Sequence, residues 1–164
     1  NSTTWPPKIA ICVGMVVLRE QKVLLIREAK GHDNGVWGIP WGFVEGKSAD
    51  GTLDTPEMAA VRETLEEAKV HTRIVGLLGI QNHSSRAGEP RLYIIFLGEH
   101  VSGEPEPDGV ETDRAAYLSL HEINAWHEPI DDFVKWVVTR VLTGEFTALP
   151  PQTVNPYSPF LSFF

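Results

Sequence analysis

The sequence predicts an α/β/α sandwich, in which one β-sheet is covered by helices on both faces. The chain has 164 residues, 42% of them hydrophobic and 22% charged, which fits one globular domain with a sizeable core. Its first two extended runs, 9–18 and 22–26, are apolar on both faces, as expected of strands inside a covered sheet. Further strands alternate with two or three helices, which supply the two outer layers.

The first elements are two strands followed by an irregular stretch. A polar turn at Glu20 and Gln21 joins the strands, and a loop follows at 31–37. Glycine and proline interrupt residues 37–46, so we expect only short extended pieces there. A helix is predicted next: Thr55 suits its N-cap, and Pro56 suits its first turn.

The second half is predicted to hold three strands, two helices and a tail. In chain order, the strands lie at 70–84, 91–103 and 115–120, an acidic loop lies at 104–113, and the helices lie at 119–126 and 131–143. The tail, 145–164, contains too much proline for regular structure and too many aromatic residues for a free linker. We expect it to pack on its own sheet edge or on a second subunit, with a slight preference for the second subunit.

The first helix carries three glutamates within five residues, Glu63, Glu66 and Glu67. At about 100° per residue they fall on one narrow arc. The opposite side carries an apolar stripe of Met58, Val61, Leu65 and Ala68. The helix is therefore predicted to be anchored by this stripe, with its acidic face in solvent. That face has two interpretations: a solvated surface, which costs only about 0.2–0.5 kcal/mol per like-charged pair, or a site for Mg²⁺.

The residues around the triplet resemble a known motif. Residues 62–67 read R-E-T-L-E-E, Asp54 lies eight positions before Arg62, and Pro40 and Gly42 stand in the positions of a P-G-G turn. This pattern resembles the box of the Nudix hydrolases, G-x5-E-x7-R-E-U-x-E-E-x-G-U, preceded by W-x-x-P-G-G. The chain is therefore identified as a MutT-like member, with the box at 42–70. The resemblance implies a single Nudix domain over 1–164, with a mixed sheet between its helices.

Four features depart from the box. Eleven residues separate Gly42 from Asp54 where the family has five, Trp41 replaces the first Gly, Thr64 replaces an apolar residue, and Lys69 replaces the late Gly. None of these departures alters the acidic triplet. Asp54 itself, in place of the usual Glu, is either a remnant of the box or a cap of the helix start.

The resemblance implies hydrolysis of a pyrophosphate bond in a nucleoside diphosphate linked to another moiety, by water activated with Mg²⁺ or Mn²⁺. Glu63, Glu66 and Glu67 would bind the metal, and Arg62 would orient one of these carboxylates. The general base stays open among Glu63, Glu67 and Glu111, the last of which lies in the acidic loop.

Substrate contacts are expected from cations and aromatic rings near the box. Arg27 ends the second strand and Arg91 flanks a turn, so both are candidate phosphate ligands. Trp37, Trp41 and Phe43 could stack on a base or ribose, although Trp37 could equally be a core residue. No sequence signature identifies which nucleoside diphosphate derivative is the substrate.

Charge and cysteine content argue against several functions and kinds of site. The net charge of −8 disfavours nonspecific binding of nucleic acid. No apolar run reaches the length of a membrane span and no signal pattern begins the chain, so we expect a cytoplasmic protein. Cys12 is the only cysteine, which excludes an internal disulfide and a Cys-based zinc cluster. The expected partner is a nucleotide-type small molecule, with a homodimer as one option.

Two other functions stay open. A noncatalytic Nudix module that binds nucleotides as a sensor would explain the long 43–53 loop and Lys69. An isomerase of prenyl diphosphates would need a catalytic cysteine in the cleft, whereas Cys12 lies in a core-type strand. The intact acidic triplet favours hydrolysis.

Overall fold

A computed structural model describes residues 5–47 and 49–164. In chain order its strands and helices are β1 (Ala10–Arg19), β2 (Lys22–Glu28), β3 (Trp37–Gly38), β4 (Trp41–Phe43), β5 (Gly46–Lys47), β6 (Leu53–Asp54), α1 (Pro56–Ala68), β7 (His71–Ser84), β8 (Pro90–Ser102), β9 (Thr112–Ser119), α2 (Leu120–Asn124), α3 (Asp132–Leu142), β10 (Pro151–Gln152) and β11 (Ser162–Phe163). Both helices predicted in the second half are confirmed, as α2 and α3.

One mixed sheet organises this part of the chain. Its main path runs β3-β2-β1-β8-β7, while β4 pairs with β1 and β9 pairs with β2. The pairing of β1 with β8 is parallel, and the other pairings are antiparallel. β1 is thus bonded to β2 and β4 along different parts of one edge, which places the short β4 beside the end of β2.

The core lies on both faces of this sheet, which confirms the α/β/α sandwich. Successive residues of β2 alternate between the two sides. The layer beneath α2 and α3 contains Val16, Val23, Leu25, Trp37, Ile39, Ile95, Leu118, Ile123, Val134, Val137, Val138 and Val141. The layer beneath α1 contains Val13, Met15, Val17, Leu24, Ile26, Ala59, Ala60, Ala68, Val70 and Phe96.

Helix α1 is rotated relative to the prediction. Its buried residues are Ala59, Ala60, Thr64, Glu67 and Ala68, whereas Met58 is exposed and Val61 and Leu65 are only half-buried. The acidic face therefore turns inward at Glu67, so the predicted solvent-facing orientation was wrong for Glu67, whereas Glu66 is exposed as predicted. Small alanines let the helix lie close to the sheet. The hydroxyl of Thr64 donates to the carbonyl of Ala60 at 2.8 Å, so this buried polar group is satisfied within the helix.

The replacement of the last glycine of the box by Lys69 has a conformational explanation. Lys69 ends α1 with φ 59° and ψ 25°, the left-handed conformation, and its N–H donates to the carbonyl of Leu65. Glycine is the usual residue at such a helix end because it has no Cβ. Lys69 thus keeps the backbone turn for which the family uses Gly.

The long loop after Gly42 folds into a small hairpin. Strands β5 and β6 pair through Gly46 with Asp54 and Lys47 with Leu53. Within this insertion, Ser48 lies outside the described residues. The hairpin delivers Asp54 directly to the start of α1.

The tail packs on its own chain. Leu77 and Leu149 exchange two main-chain hydrogen bonds of 2.8 Å at the edge strand β7. Phe146 contacts the ring of Trp136 on the α3 side, while Phe163 packs on Phe96 on the α1 side. The tail therefore crosses the sheet edge from one layer to the other. This is the first of the two expected arrangements, and packing of the tail on a second subunit stays a prediction.

No helix in the described part of the chain combines the length and the apolar content that crossing a bilayer requires.

The tail contact predicts a stability difference between two neighbouring phenylalanines. Phe163→Ala should lower the free energy of unfolding by about 1–3 kcal/mol, since the half-buried ring loses its contact with Phe96. Phe164→Ala should change it by less than about 0.5 kcal/mol, because that side chain is 85% exposed. Urea denaturation of both variants checks this. Equal losses would contradict the packing role of Phe163.

Candidate active site

Four carboxylates approach one another at one end of the sheet. Glu63 and Glu67 come from the inner side of α1, Glu28 from the end of β2, and Glu111 from the loop before β9. The negative charges of Glu28, Glu63 and Glu111 all act on Glu67, which shows that the four groups share one electrostatic environment. The structure therefore brings together two members of the predicted triplet with Glu111, and it adds Glu28.

Glu67 is the most deeply placed of these groups. Its residue exposure is only 2%. Burial raises the pKa of Glu67 to about 9, and the charge of Glu28 adds to the rise. One carboxylate oxygen accepts the main-chain N–H of Trp41 at 3.2 Å. A buried carboxyl group with this pKa is largely protonated at neutral pH when no cation is near it.

Glu63 is held beside Gly42. Burial and the charge of Glu66 raise the pKa of Glu63 to about 7, against the opposing effect of Arg62. A Cβ at position 42 would overlap the carboxylate of Glu63, so only glycine leaves room for that group. The glycine of the P-G-G position thus has a steric role in the site. Glu66, by contrast, is exposed at the rim.

Arg62 joins the acidic helix to the inserted hairpin. Its guanidinium donates to Glu63 at 2.7 Å, to Asp54 at 3.0 Å and to the carbonyl of Phe43 at 3.3 Å, while Glu66 lies further away at 3.7 Å. Arg62 therefore lies closest to Glu63, and Glu66, its partner at i,i+4, is the more distant of the two.

Asp54 supports Arg62. It is buried, and it accepts the main-chain N–H of Glu45 at 2.8 Å in addition to the arginine. This carboxylate therefore anchors the hairpin and the guanidinium together. The alternative role as the cap of α1 is not seen, because the N-cap residue is Thr55 and no side chain caps it.

The loop before β9, which carries Glu111, is fixed by main-chain hydrogen bonds. The carboxylate of Asp108 accepts the N–H groups of Val110, Glu111 and Thr112 at 2.8–2.9 Å. The carbonyl of Glu111 accepts the N–H of Ala29, and the hydroxyl of Thr112 donates to the carbonyl of Glu67 at 2.8 Å. These bonds tie the loop to both β2 and α1.

An aromatic and cationic ledge lies beside the carboxylates. The rings of Trp41 and Phe43 meet edge to face, with centroids 5.7 Å apart. The guanidinium of Arg91 lies 5.2 Å from the centre of the Phe43 ring, and Phe43 remains 40% exposed. The structure thus brings together three of the predicted substrate contacts.

The other two predicted substrate contacts lie elsewhere. Trp37 is 3% exposed and packs edge-on against Trp126, so it is a core residue and cannot stack on a substrate in this structure. Arg27 donates to Asp113 at 2.7 and 3.0 Å and also to Glu128. These ion pairs fasten β2 to β9 and to the segment before α3, and binding of phosphate by Arg27 stays a prediction.

Sequence reasoning missed Glu28. It accepts the indole N–H of Trp41 at 2.9 Å and is half-buried. Glu28 lies outside the motif, 13 residues before Trp41 in the chain. The two residues meet because β4 pairs with β1 beside the end of β2. The available signal was the replacement of a motif glycine by tryptophan, whose indole N–H requires a partner when buried.

The carboxylates fit a divalent cation in chemical type. Within residues 5–47 and 49–164, no three His, Cys, Asp or Glu side chains are arranged so that they could hold a metal ion as they stand. However, oxygen donors are what Mg²⁺ and Mn²⁺ prefer, and the buried Glu67 lies among like charges that raise its pKa. Glu63, Glu66 and Glu67 would hold the cation, and its charge would offset their mutual repulsion.

Comparison with known proteins decides the family. The NUDIX domain model matches residues 8–137. The chain belongs to the Nudix family. Among its relatives, an ADP-ribose pyrophosphatase from Methanocaldococcus jannaschii is 29% identical over 134 residues, or 77% of this chain and 74% of the relative. An NAD-capped RNA hydrolase NudC from Vibrio parahaemolyticus is 27% identical, covering 71% of this chain but only 41% of that protein.

Solved structures agree with this assignment. A NUDIX hydrolase from Nitrosomonas europaea superposes with a TM-score of 0.69 and 25% identity, covering 87% of this chain and 94% of that one. The chain is therefore a member of the Nudix hydrolase family, and the predicted box at 42–70 lies inside the matched region. The intact R-E-x-x-E-E residues are therefore the family's acidic helix.

The close approach of Gly42 to Glu63 predicts a selective effect of one methyl group. Gly42→Ala should displace the Glu63 side chain and break its contact with Arg62, which lowers turnover while the fold survives, because the displaced atoms end a flexible side chain. Gly38→Ala is the matched control, since its Cβ would meet Val134 at an ordinary 3.8 Å. Circular dichroism and turnover of both variants check this. Full activity of Gly42→Ala would refute the steric role.

Burial of Glu67 also predicts a pH effect on the metal-free protein. A folded-state pKa of about 9 lies above the ordinary value, so the folded protein retains a proton that the unfolded chain loses. Stability should therefore fall as pH rises from about 4.5 towards 9. Glu67→Gln should reduce this decline and raise the melting temperature at pH 8 by several degrees.

The control for this effect is Glu66→Gln, because Glu66 is exposed. Melting temperatures with EDTA at pH 5, 7 and 8 provide the measurement. If Glu67→Gln and Glu66→Gln shift the melting temperature equally at pH 8, burial of Glu67 is not the cause.

Proposed function

We propose that this chain is a pyrophosphohydrolase that depends on Mg²⁺ or Mn²⁺ and acts on a nucleoside diphosphate linked to another moiety. The observation that carries this proposal is Glu67, a carboxylate that is buried among other carboxylates at the end of an open sheet. Such a group is costly in a protein without a cation, and a divalent cation gives it a function.

The residues have separate roles in the proposed reaction. Glu63, Glu66 and Glu67 would hold the cation, which would neutralise phosphate oxygens and make water a better nucleophile. Arg62 keeps Glu63 in place and is itself fixed by Asp54. The general base is Glu63, Glu67 or Glu111. Glu111 supports the third option because it is exposed to solvent and its charge acts on both Glu63 and Glu67.

The ledge beside the carboxylates suits a nucleotide. Arg91 supplies a positive charge for a phosphate, while Trp41 and Phe43 offer aromatic faces for a base or ribose. Relatives named as an ADP-ribose pyrophosphatase and an NAD-capped RNA hydrolase support a substrate of this class. The β5–β6 hairpin borders the site and is proposed to modulate substrate choice without supplying essential chemistry.

Hydrolysis is favoured over the sensor alternative. Lys69 adopts the left-handed turn itself, and the long loop ends on Asp54, which anchors Arg62. The two departures that suggested a sensor therefore preserve the acidic helix. A cytoplasmic location and a homodimer stay predictions.

Activity should depend on Glu67 and not on an unrelated glutamate of the same helix. We expect wild-type protein with Mg²⁺ or Mn²⁺ to hydrolyse at least one member of a panel of nucleoside diphosphate derivatives. Glu67→Gln should lower turnover by about 10²-fold or more, whereas Glu57→Gln, in the first turn of α1, should retain it. Phosphate released after treatment with a phosphatase is the readout. Nucleotide binding without turnover would favour the sensor.

A further inference from the structure

We propose that Glu28 is a positioning residue of this site: it holds the indole of Trp41, whose main-chain N–H in turn binds the carboxylate of Glu67. The inference deepens the proposed function, since it assigns a role within the same site. Glu28 lies outside the box, and no motif residue points to it.

Trp41 has two N–H groups, and each donates to a different carboxylate. The indole Nε1–H donates to Oε1 of Glu28 at 2.9 Å, and the main-chain N–H donates to Oε1 of Glu67 at 3.2 Å. Both contacts are partly buried, where water replaces a lost bond poorly. One residue thus links the end of β2 to the inner face of α1.

The peptide group that binds Glu67 is fixed on its other side as well. The carbonyl of Pro40, which belongs to the same peptide unit as the N–H of Trp41, accepts the N–H of Met15 at 3.2 Å. The orientation of this peptide is therefore set by β1 on one side. The indole bond to Glu28 restrains the side chain of the same residue.

Glu28 is suited to act as an anchor because its own backbone is held. Its N–H donates to the carbonyl of Val36 at 3.0 Å, and its carbonyl accepts the N–H of Gly35 at 2.8 Å. The next residue, Ala29, donates to the carbonyl of Glu111. The end of β2 is thus rigidly connected to the loop that presents another carboxylate of the site.

This arrangement requires tryptophan at position 41. Glycine, the usual residue there in the motif, has no side-chain donor for Glu28. The contact between Glu28 and Trp41 is therefore a feature of this chain, added to the common frame of the box. The same contact explains how the carboxylate of Glu28 is held near Glu67, because the indole N–H of Trp41 donates a hydrogen bond to it.

The test separates the hydrogen bond from the charge. Glu28→Gln keeps an oxygen acceptor for the indole and removes the charge, whereas Glu28→Leu removes both. Trp41→Phe keeps an aromatic ring and removes the donor. The double variant Glu28→Leu/Trp41→Phe shows whether the two residues act through one contact.

Two readouts are measured, with melting temperature to confirm folding. The first is kcat and KM for the best nucleotide substrate, and the second is the dissociation constant of Mn²⁺ from substrate-free protein by calorimetry. We expect Glu28→Leu and Trp41→Phe each to lose about 10–100-fold in kcat and in Mn²⁺ affinity. For Glu28→Leu, KM should change little. The double variant should be no worse than the single ones, and Glu28→Gln should stay within about threefold of wild type.

Three results would overturn the proposal. An equal loss in Glu28→Gln and Glu28→Leu would show that the charge acts directly, as a cation ligand or a base. Additive losses in the double variant would show that the residues do not act through one contact. Unchanged Mn²⁺ affinity in all variants would exclude positioning of Glu67. If the wild type hydrolyses no nucleotide, the proposed function fails, while the Mn²⁺ series still decides the role of Glu28.

Discussion

A carboxylate buried among other carboxylates is the constraint on which this site depends. Glu67 lies on the inner face of α1, and the charges of Glu28, Glu63 and Glu111 act on it. Desolvation and like charge both oppose its ionisation. In the described part of the chain one donor, the main-chain N–H of Trp41, bonds the Glu67 carboxylate, and the raised pKa means that the group is largely protonated at neutral pH when no cation is near it.

The elements around Glu67 are held by hydrogen bonds that involve both side chains and the main chain. Trp41 presents its N–H to Glu67 from β4, Thr112 bonds the carbonyl of Glu67 from the start of β9, and Arg62 ties Glu63 to Asp54. Two of these contacts hold Glu67, one through its side chain and one through its main-chain carbonyl. The helix is therefore fixed in rotation as well as in position, which places its small alanines on the sheet and its glutamates in the site.

Much of this could be predicted from the sequence. The apolar runs 9–18 and 22–26 predicted a sheet covered on both faces, and the box identified the acidic helix and its family. The rotation of α1 was missed because a helical wheel weighs Met58 and Leu65 above alanines, whereas close packing on the sheet favoured Ala59 and Ala60. Local sequence could not reveal Glu28, since its contact with Trp41 depends on the tertiary pairing of strands. The departures from the motif preserve the geometry of the acidic helix.

The most direct test of the account is the number of protons released when Mn²⁺ binds, measured by calorimetry at pH 7.5 in buffers of different ionisation enthalpy. Because the pKa of Glu67 is about 9 in the metal-free protein, the account predicts release of about one proton per cation, and less in Glu67→Gln. Binding without proton release, or equal release by both proteins, would contradict a cation site built on buried Glu67.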